Sequence, residues 1–488
     1  MSATPSPTQP ACPKPSQVGA SASAAEINAS CRIPVAAIFL SSGLWLVLGS
    51  VLGLVASLNF HGPKMFADCA VMSYGRIHPV ANNALLYGFA IQAGLGVLIW
   101  LTCQLAKAEL ALSPLVLIGW LLWNSGVQFG LLGIAHGETT GHEWLEIPRY
   151  GSIPMLIGCL CIGLSIATTF HQRKETQMSV PQWFILAALF WFPWVYSTAI
   201  AAVSFIPVRG VVQSVIDGWY AHNLRNVWFV FVGLATLFYL APLLSKRPLH
   251  SRSSGLFVFW TLLFFGSWGG LSTGSPVPSW IPALCTAGAL LTIAPILAAH
   301  ANLSRTLKSG VGESQTKVTP LFVKYATISF RVASLAGILF TLAPFNAIAN
   351  FTWFIPAQQT FLVYGFFGMT MFAAIYHIFP QLLGTEFASN TLVKLQFRLS
   401  ALGVTIYFLT LAVGGVLQGL KLNDGKVNFL DVVTGSATWL RISTLGELLM
   451  IAGNALLLLN LLKLLISVLR VAALKALAGN VKPVGVKA

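Results

Sequence analysis

Long apolar stretches separated by short polar ones give the first reading of the chain. A helix that crosses a bilayer needs about 20 mostly apolar residues. Twelve such stretches run along the sequence, at 34–58, 79–103, 113–135, 152–170, 183–206, 221–243, 256–272, 280–300, 321–346, 357–382, 398–419 and 442–469. Apolar residues surround most of these segments instead of alternating with polar ones, which excludes a barrel of two-residue period. The pattern predicts an all-α fold, a polytopic membrane protein with about twelve transmembrane helices in the lipid bilayer. The segment 256–272 is the shortest and is diluted by Gly and Ser.

Composition agrees with this solvent. Hydrophobic residues make up 56% and charged residues 8%, against roughly 25% charged in soluble domains. Too few charges are available to cover a globular surface, so soluble enzymes are excluded and no nucleic-acid partner is expected. The net charge of +15 is placed by the loops: an even number of spans puts both termini on one side. Arg173, Lys174, Lys246, Arg247, Arg252, Arg305, Lys308 and Lys317 share that side. Retention of Lys and Arg on cytoplasmic loops then predicts that both termini face the cytoplasm. The acidic loop Glu138–Glu146 and the loop Lys421–Arg441 would face outward.

The prolines, Ser, Thr and Ala of the first 30 residues form a low-complexity stretch. It lacks the basic region of a signal peptide. The expected organisation is a disordered cytoplasmic segment over 1–32, a membrane domain over 33–470 and a cytoplasmic tail over 471–488. Whether the apolar tail after Glu447 is one helix or a helix with an interfacial extension is left open, Lys463, Arg470 and Lys475 suiting a headgroup surface.

Candidate chemistry is sparse. The seven cysteines fit no metal spacing, and Cys159-x-Cys161 inside an apolar segment reads as two packed thiols. Of nine histidines, six fall in loops or at helix ends, and His78, His222 and His377 remain near or within spans. A bis-histidine haem needs two imidazoles facing one another from different helices, and copper needs two or three that converge. No pair among these three is spaced i, i+3 or i, i+4, so no multi-ligand metal site is read. Asn82 and Asn83 open the second span, Gln358, Gln359 and Thr360 the tenth, and Arg441 and Glu447 the twelfth. Interhelical hydrogen bonding, about 0.6 kcal/mol per contact, accounts for such residues. A transport path would use the same types.

Five segments stand in order along the chain: Gly75-Arg76-Ile77-His78-Pro79-Val80-Ala81-Asn82-Asn83-Ala84, Glu143 to Pro148, Trp219-Tyr220-Ala221-His222-Asn223, Ala374 to Pro380 with Gly384 and Glu386, and Gln418-Gly419-Leu420. Taken together they resemble subunit I of the haem-copper oxidases, most closely the catalytic subunit of cbb-type cytochrome c oxidase. The resemblance runs from about residue 34 to 470. It implies a twelve-helix fold, haem b and copper as cofactors, cytochrome c oxidation coupled to oxygen reduction, and other respiratory-complex or oxidase subunits as partners.

Carried over residue by residue, it also implies losses. The low-spin haem ligand of the second helix falls at Ala81. The two histidines of the tenth helix fall at Gln358 and Thr360. The adjacent copper-binding pair falls within Trp268–Thr273, where no histidine stands. The cross-linked tyrosine falls near His250–Arg252, and the glutamate of the ninth helix near Ala336. Only the first copper-ligand position is kept, at His222, while His78 lies one turn before Ala81 as a weaker haem candidate. No catalytic residue is assigned. Three expectations follow: a non-catalytic relative serving as partner or scaffold, a working haem-containing terminal oxidase subunit, or a transporter that reuses the emptied cavity lined by Asn82, His222, Gln358 and Gln359.

Overall fold

A computed structural model describes residues 22–62, 65–66, 68–175, 177–206, 208–308, 318–387 and 389–479, with side chains to 474. All regular elements among these residues are helical. The helices are α1 (Ala24–Leu58), α2 (Tyr74–Ala106), α3 (Ser113–His136), α4 (Arg149–His171), α5 (Val180–Phe205), α6 (Val211–Ser245), α7 (Arg252–Gly266), α8 (Trp280–Lys308), α9 (Thr319–Thr341), α10 (Phe354–Leu383), α11 (Asn390–Leu422) and α12 (Phe429–Gly479). A short helical turn, Ala343–Ala349, joins α9 to α10. Eleven of the described helices are long and apolar enough to cross a membrane.

The twelfth, α7, departs from the apolar pattern. The stretch 256–272 was expected to span, yet the helix ends at Gly266. Its 15 residues rise about 22 Å, short of the roughly 30 Å hydrocarbon core. The chain turns instead through Gly270, whose φ of 106° is left-handed, and drops onto α6. A Cβ on Gly218 would stand 2.3 Å from the Gly270 carbonyl oxygen, so only glycine lets these backbones meet.

The ends of the chain differ from expectation as well. α1 starts at Ala24, inside the segment expected to be disordered. A capping box there has Ser23 Oγ accepting from the Glu26 amide while the Glu26 carboxylate accepts from the Ser23 amide. Residues 1–21 of that segment, Lys317, and the side chain of Lys475 lie outside the described residues. α12 is one continuous helix of 51 residues. It starts within the stretch taken as the loop Lys421–Arg441 and passes Lys463 and Arg470 without a break.

Burial sorts the helices into centre and rim. In the most apolar window of α2, α6 and α10, 94%, 83% and 83% of residues are buried, against 22–44% in the other spans. Each inner helix carries a wider-wound stretch with i→i+5 bonding, at Ala84–Ile91, Leu224–Phe229 and Phe361–Gly368. Such stretches rotate side chains off the α register and gather at functional sites. The rim closes through small residues that let backbones touch in lipid. A Cβ on Gly119 of α3 would lie 2.7 Å from Gly158 O of α4, and one on Gly403 of α11 would lie 2.7 Å from Gly446 O of α12.

Candidate functional site

Two cavities lie against the inner helices. The first, about 210 Å³, is bounded by α1, α2, α10, α11, α12 and the loop before α4. The second, about 280 Å³, lies among α6, α7, α8, α9 and the start of α10. Glu143 and Gln359 border both. With its amide oriented to satisfy its neighbours, Gln359 donates to Glu143 Oε1 (3.1 Å) and accepts from Arg225 Nη1 (2.8 Å). This relay of carboxylate, amide and guanidinium separates the two volumes.

The expected site residues divide between the cavities. His78, Ala81, Asn82 and Thr360 line the first, while His222 and Gln358 line the second. Thr360 and Gln358 part company because residues two apart on a helix point to different sides. The structure therefore does not bring the proposed transport set of Asn82, His222, Gln358 and Gln359 into one chamber.

Each inner histidine is engaged by an amide one turn along its own helix. His78 Nε2 meets Asn82 Nδ2 at 3.1 Å, His222 Nδ1 meets Asn226 Nδ2 at 2.9 Å, and His377 Nε2 meets Gln381 Nε2 at 2.8 Å. The amide donates, so these ring nitrogens accept. At His222 the other nitrogen is used too: Nε2–H donates to Gly266 O at 2.8 Å. The ring also lies flat against Gly269, where a Cβ would stand 2.1 Å from its Cε1. His78 stacks on Tyr74, with centroids 4.8 Å apart. Gln358 Nε2 donates to Ala333 O at 3.0 Å. Among the described residues, no three His, Cys, Asp or Glu side chains are grouped so as to hold a metal ion.

The motif residues and their neighbours have structural partners. Asn83 Nδ2 donates to Pro79 O (2.8 Å) and to Glu146 Oε2 (3.0 Å), tying α2 to the loop before α4. Burial pushes the Glu146 carboxyl up to about 7, against the pull of the Asn83 hydrogen bond. Tyr87 Oη donates to Trp144 O (2.5 Å) and pairs with Tyr220 Oη (2.7 Å). Asn223 Oδ1 accepts from Trp191 Nε1 (3.1 Å), Arg76 Nη1 donates to Ala135 O (3.3 Å), and Tyr376 Oη accepts from Asn460 Nδ2 (3.0 Å).

Sequence reasoning missed Arg225, Asp217 and the role of Glu143. Buried atoms without a hydrogen-bond partner include Arg225 Nε, Asp217 Oδ1 and Glu447 Oε2. An arginine within an apolar span was a usable signal for the first of these. The three histidine–amide pairs were legible as His-x-x-x-Asn/Gln.

Comparison with known proteins agrees with this architecture. Residues 34–449 match the family model described as cytochrome c and quinol oxidase polypeptide I. A cytochrome c oxidase subunit 1 homolog of Azorhizobium caulinodans is 24% identical over 430 residues, covering 84% of this chain and 78% of that protein. A cbb3-type cytochrome c oxidase subunit of Stutzerimonas stutzeri is 22% identical over 84% of this chain and 90% of its own length. A solved haem-copper terminal oxidase dimer aligns with a TM-score of 0.71 at 14% identity, over 89% of this chain and 84% of that one. This last likeness speaks to the fold.

Proposed function

Because the chain belongs to the cytochrome c and quinol oxidase polypeptide I family, a family of integral membrane proteins, we propose that it is a relative of cytochrome c oxidase subunit I that keeps the fold without the redox chemistry. Its role is that of partner or scaffold beside other oxidase or respiratory-complex subunits. It resides in a bacterial inner membrane with both termini cytoplasmic, the orientation favoured by the basic loops.

The observation that carries this reading is the chemistry of the two cavities. By the resemblance the low-spin haem ligand of the second helix falls at Ala81 and a haem histidine of the tenth at Thr360, and both residues border the first cavity. Neither offers an imidazole, so an axial pair is not available there. Glu143, Glu146 and Glu447 border the same cavity, and no Lys or Arg does so among the described residues. The two propionates of a haem would meet carboxylates with no cation to pair with, so this lining does not fit the group.

Copper fits the second cavity no better. His222 spends both ring nitrogens on Asn226 and Gly266. Its neighbour in the 268–273 segment is Gly269, packed against its ring. Two or three convergent imidazoles are what copper requires, and a lone imidazole already satisfied at both nitrogens does not supply them. The His222 side chain ties α6 to the end of α7 at Gly266, and His78 bonds within α2 to Asn82.

The test is oxygen uptake by the purified chain in proteoliposomes supplied with reduced cytochrome c. No uptake above protein-free vesicles is expected. Turnover that depends on His222 would overturn the reading in favour of a working terminal oxidase subunit.

A further inference from the structure

The first cavity is rich in acid and poor in countercharge. Glu143 has its compensation through Gln359 and Arg225, and Glu146 accepts from Asn83. Glu447 stands apart. It enters from α12, its Oε2 is closed from solvent, and that atom has no hydrogen-bond partner. The ion pairs of Lys107 with Glu175 and His142 with Asp217 lie elsewhere. The Ser57 hydroxyl bonds to this carboxyl, yet an ionisable group at membrane depth with one oxygen left unsatisfied is costly and marks function by default.

The rest of the wall narrows the class of partner. The same cavity is also lined by Leu85, Phe89, Trp144, Tyr364, Tyr407 and Met450. This lining suits an apolar body, and aromatic faces attract a cation. A metal ion is disfavoured because no three ligating side chains gather there. An anion would meet three carboxylates.

We propose that the first cavity binds a small protonated alkylamine, with Glu447 as its counter-ion and the aromatic wall around its apolar part. The inference rests on the non-catalytic reading above, since a haem in this volume would leave no room for the amine. Glu447 is a ligand-binding residue in this account, and Tyr407 and Met450 shape the apolar end.

The experiment uses the full chain in lipid nanodiscs, titrated with n-butylammonium chloride by isothermal calorimetry. Sodium butyrate and n-butanol serve as probes of the wrong charge and of none. Saturable binding of the ammonium alone is expected. Glu447→Gln should weaken it by about tenfold or more, while Glu175→Gln, at the exposed ion pair, should leave it unchanged. Should Glu447→Gln fail to fold, Met450→Trp, which fills the cavity, is expected to abolish binding.

No saturable ammonium binding, equal binding of butyrate, or binding indifferent to both substitutions would overturn the inference. An absorption spectrum of the same sample separates the two claims. A Soret band removes the non-catalytic reading and this site together. A spectrum without one, joined to Glu447-independent titrations, removes this site alone.

Discussion

Glu146 offers the most quantitative test of how the loop before α4 is held. Its carboxyl is buried beneath that loop and is pushed from 4.5 up to about 7, chiefly by desolvation and despite the hydrogen bond from Asn83. A carboxyl raised on folding makes the native state bind more protons than the unfolded chain between the two values. Stability is therefore greatest in acid and falls as pH rises from about 4.5 through about 7. At about 1.4 kcal/mol per pH unit the whole interval amounts to ~3 kcal/mol. Glu146→Gln keeps an acceptor for Asn83 and removes the titration. Thermal unfolding of both proteins in detergent, followed by tryptophan fluorescence from pH 5 to pH 8, reads the difference directly. The wild-type midpoint should fall with rising pH relative to that of the variant, most steeply from pH 5 to 7. Parallel pH profiles for the two proteins would refute the argument.

Three further substitutions probe the packing. Gly158→Ala places a Cβ 2.6 Å from Gly119 O, so α3 and α4 must separate, at a cost of about 1–3 kcal/mol in unfolding free energy. Tyr87→Phe removes the bond to Trp144 O and leaves Tyr220 unpaired. A loss of about 1–3 kcal/mol is expected, together with faster proteolysis of the loop at 137–148. Gly269→Val drives a side chain into the His222 ring. It should shift the His222 resonances in a spectrum of isotope-labelled protein and lower the melting midpoint, whereas Gly425→Ala, with nothing within 4 Å, should leave those resonances in place.

The helices were legible because a bilayer demands some 20 apolar residues in a row, a long and redundant signal. The signal failed at 256–272, where apolar content continued past the point at which Gly269 and Gly270 turn the chain onto Gly218. That approach is a contact between residues far apart in sequence, which no local pattern records. Lys463 and Arg470 invited a break in α12, yet long basic side chains on a helix can reach the headgroup level without ending it. At the site, the two-residue spacing of Gln358 and Thr360 already implied different faces. The division into two cavities needed Arg225, Gln359 and Glu143, which come together from α6, α10 and a loop. The unpartnered state of Glu447 Oε2 was equally hidden, since a residue's lack of partners is a property of its surroundings.

The central claim is that this fold carries neither of its family's metal cofactors. A reduced-minus-oxidised difference spectrum of the purified chain, with a pyridine extract for haem and mass-spectrometric copper content on the same sample, tests it most directly. The account predicts no Soret or α-band difference and far less than one haem or copper per chain. A stoichiometric b-type haem spectrum, or one copper per chain lost on His222→Ala, would contradict it.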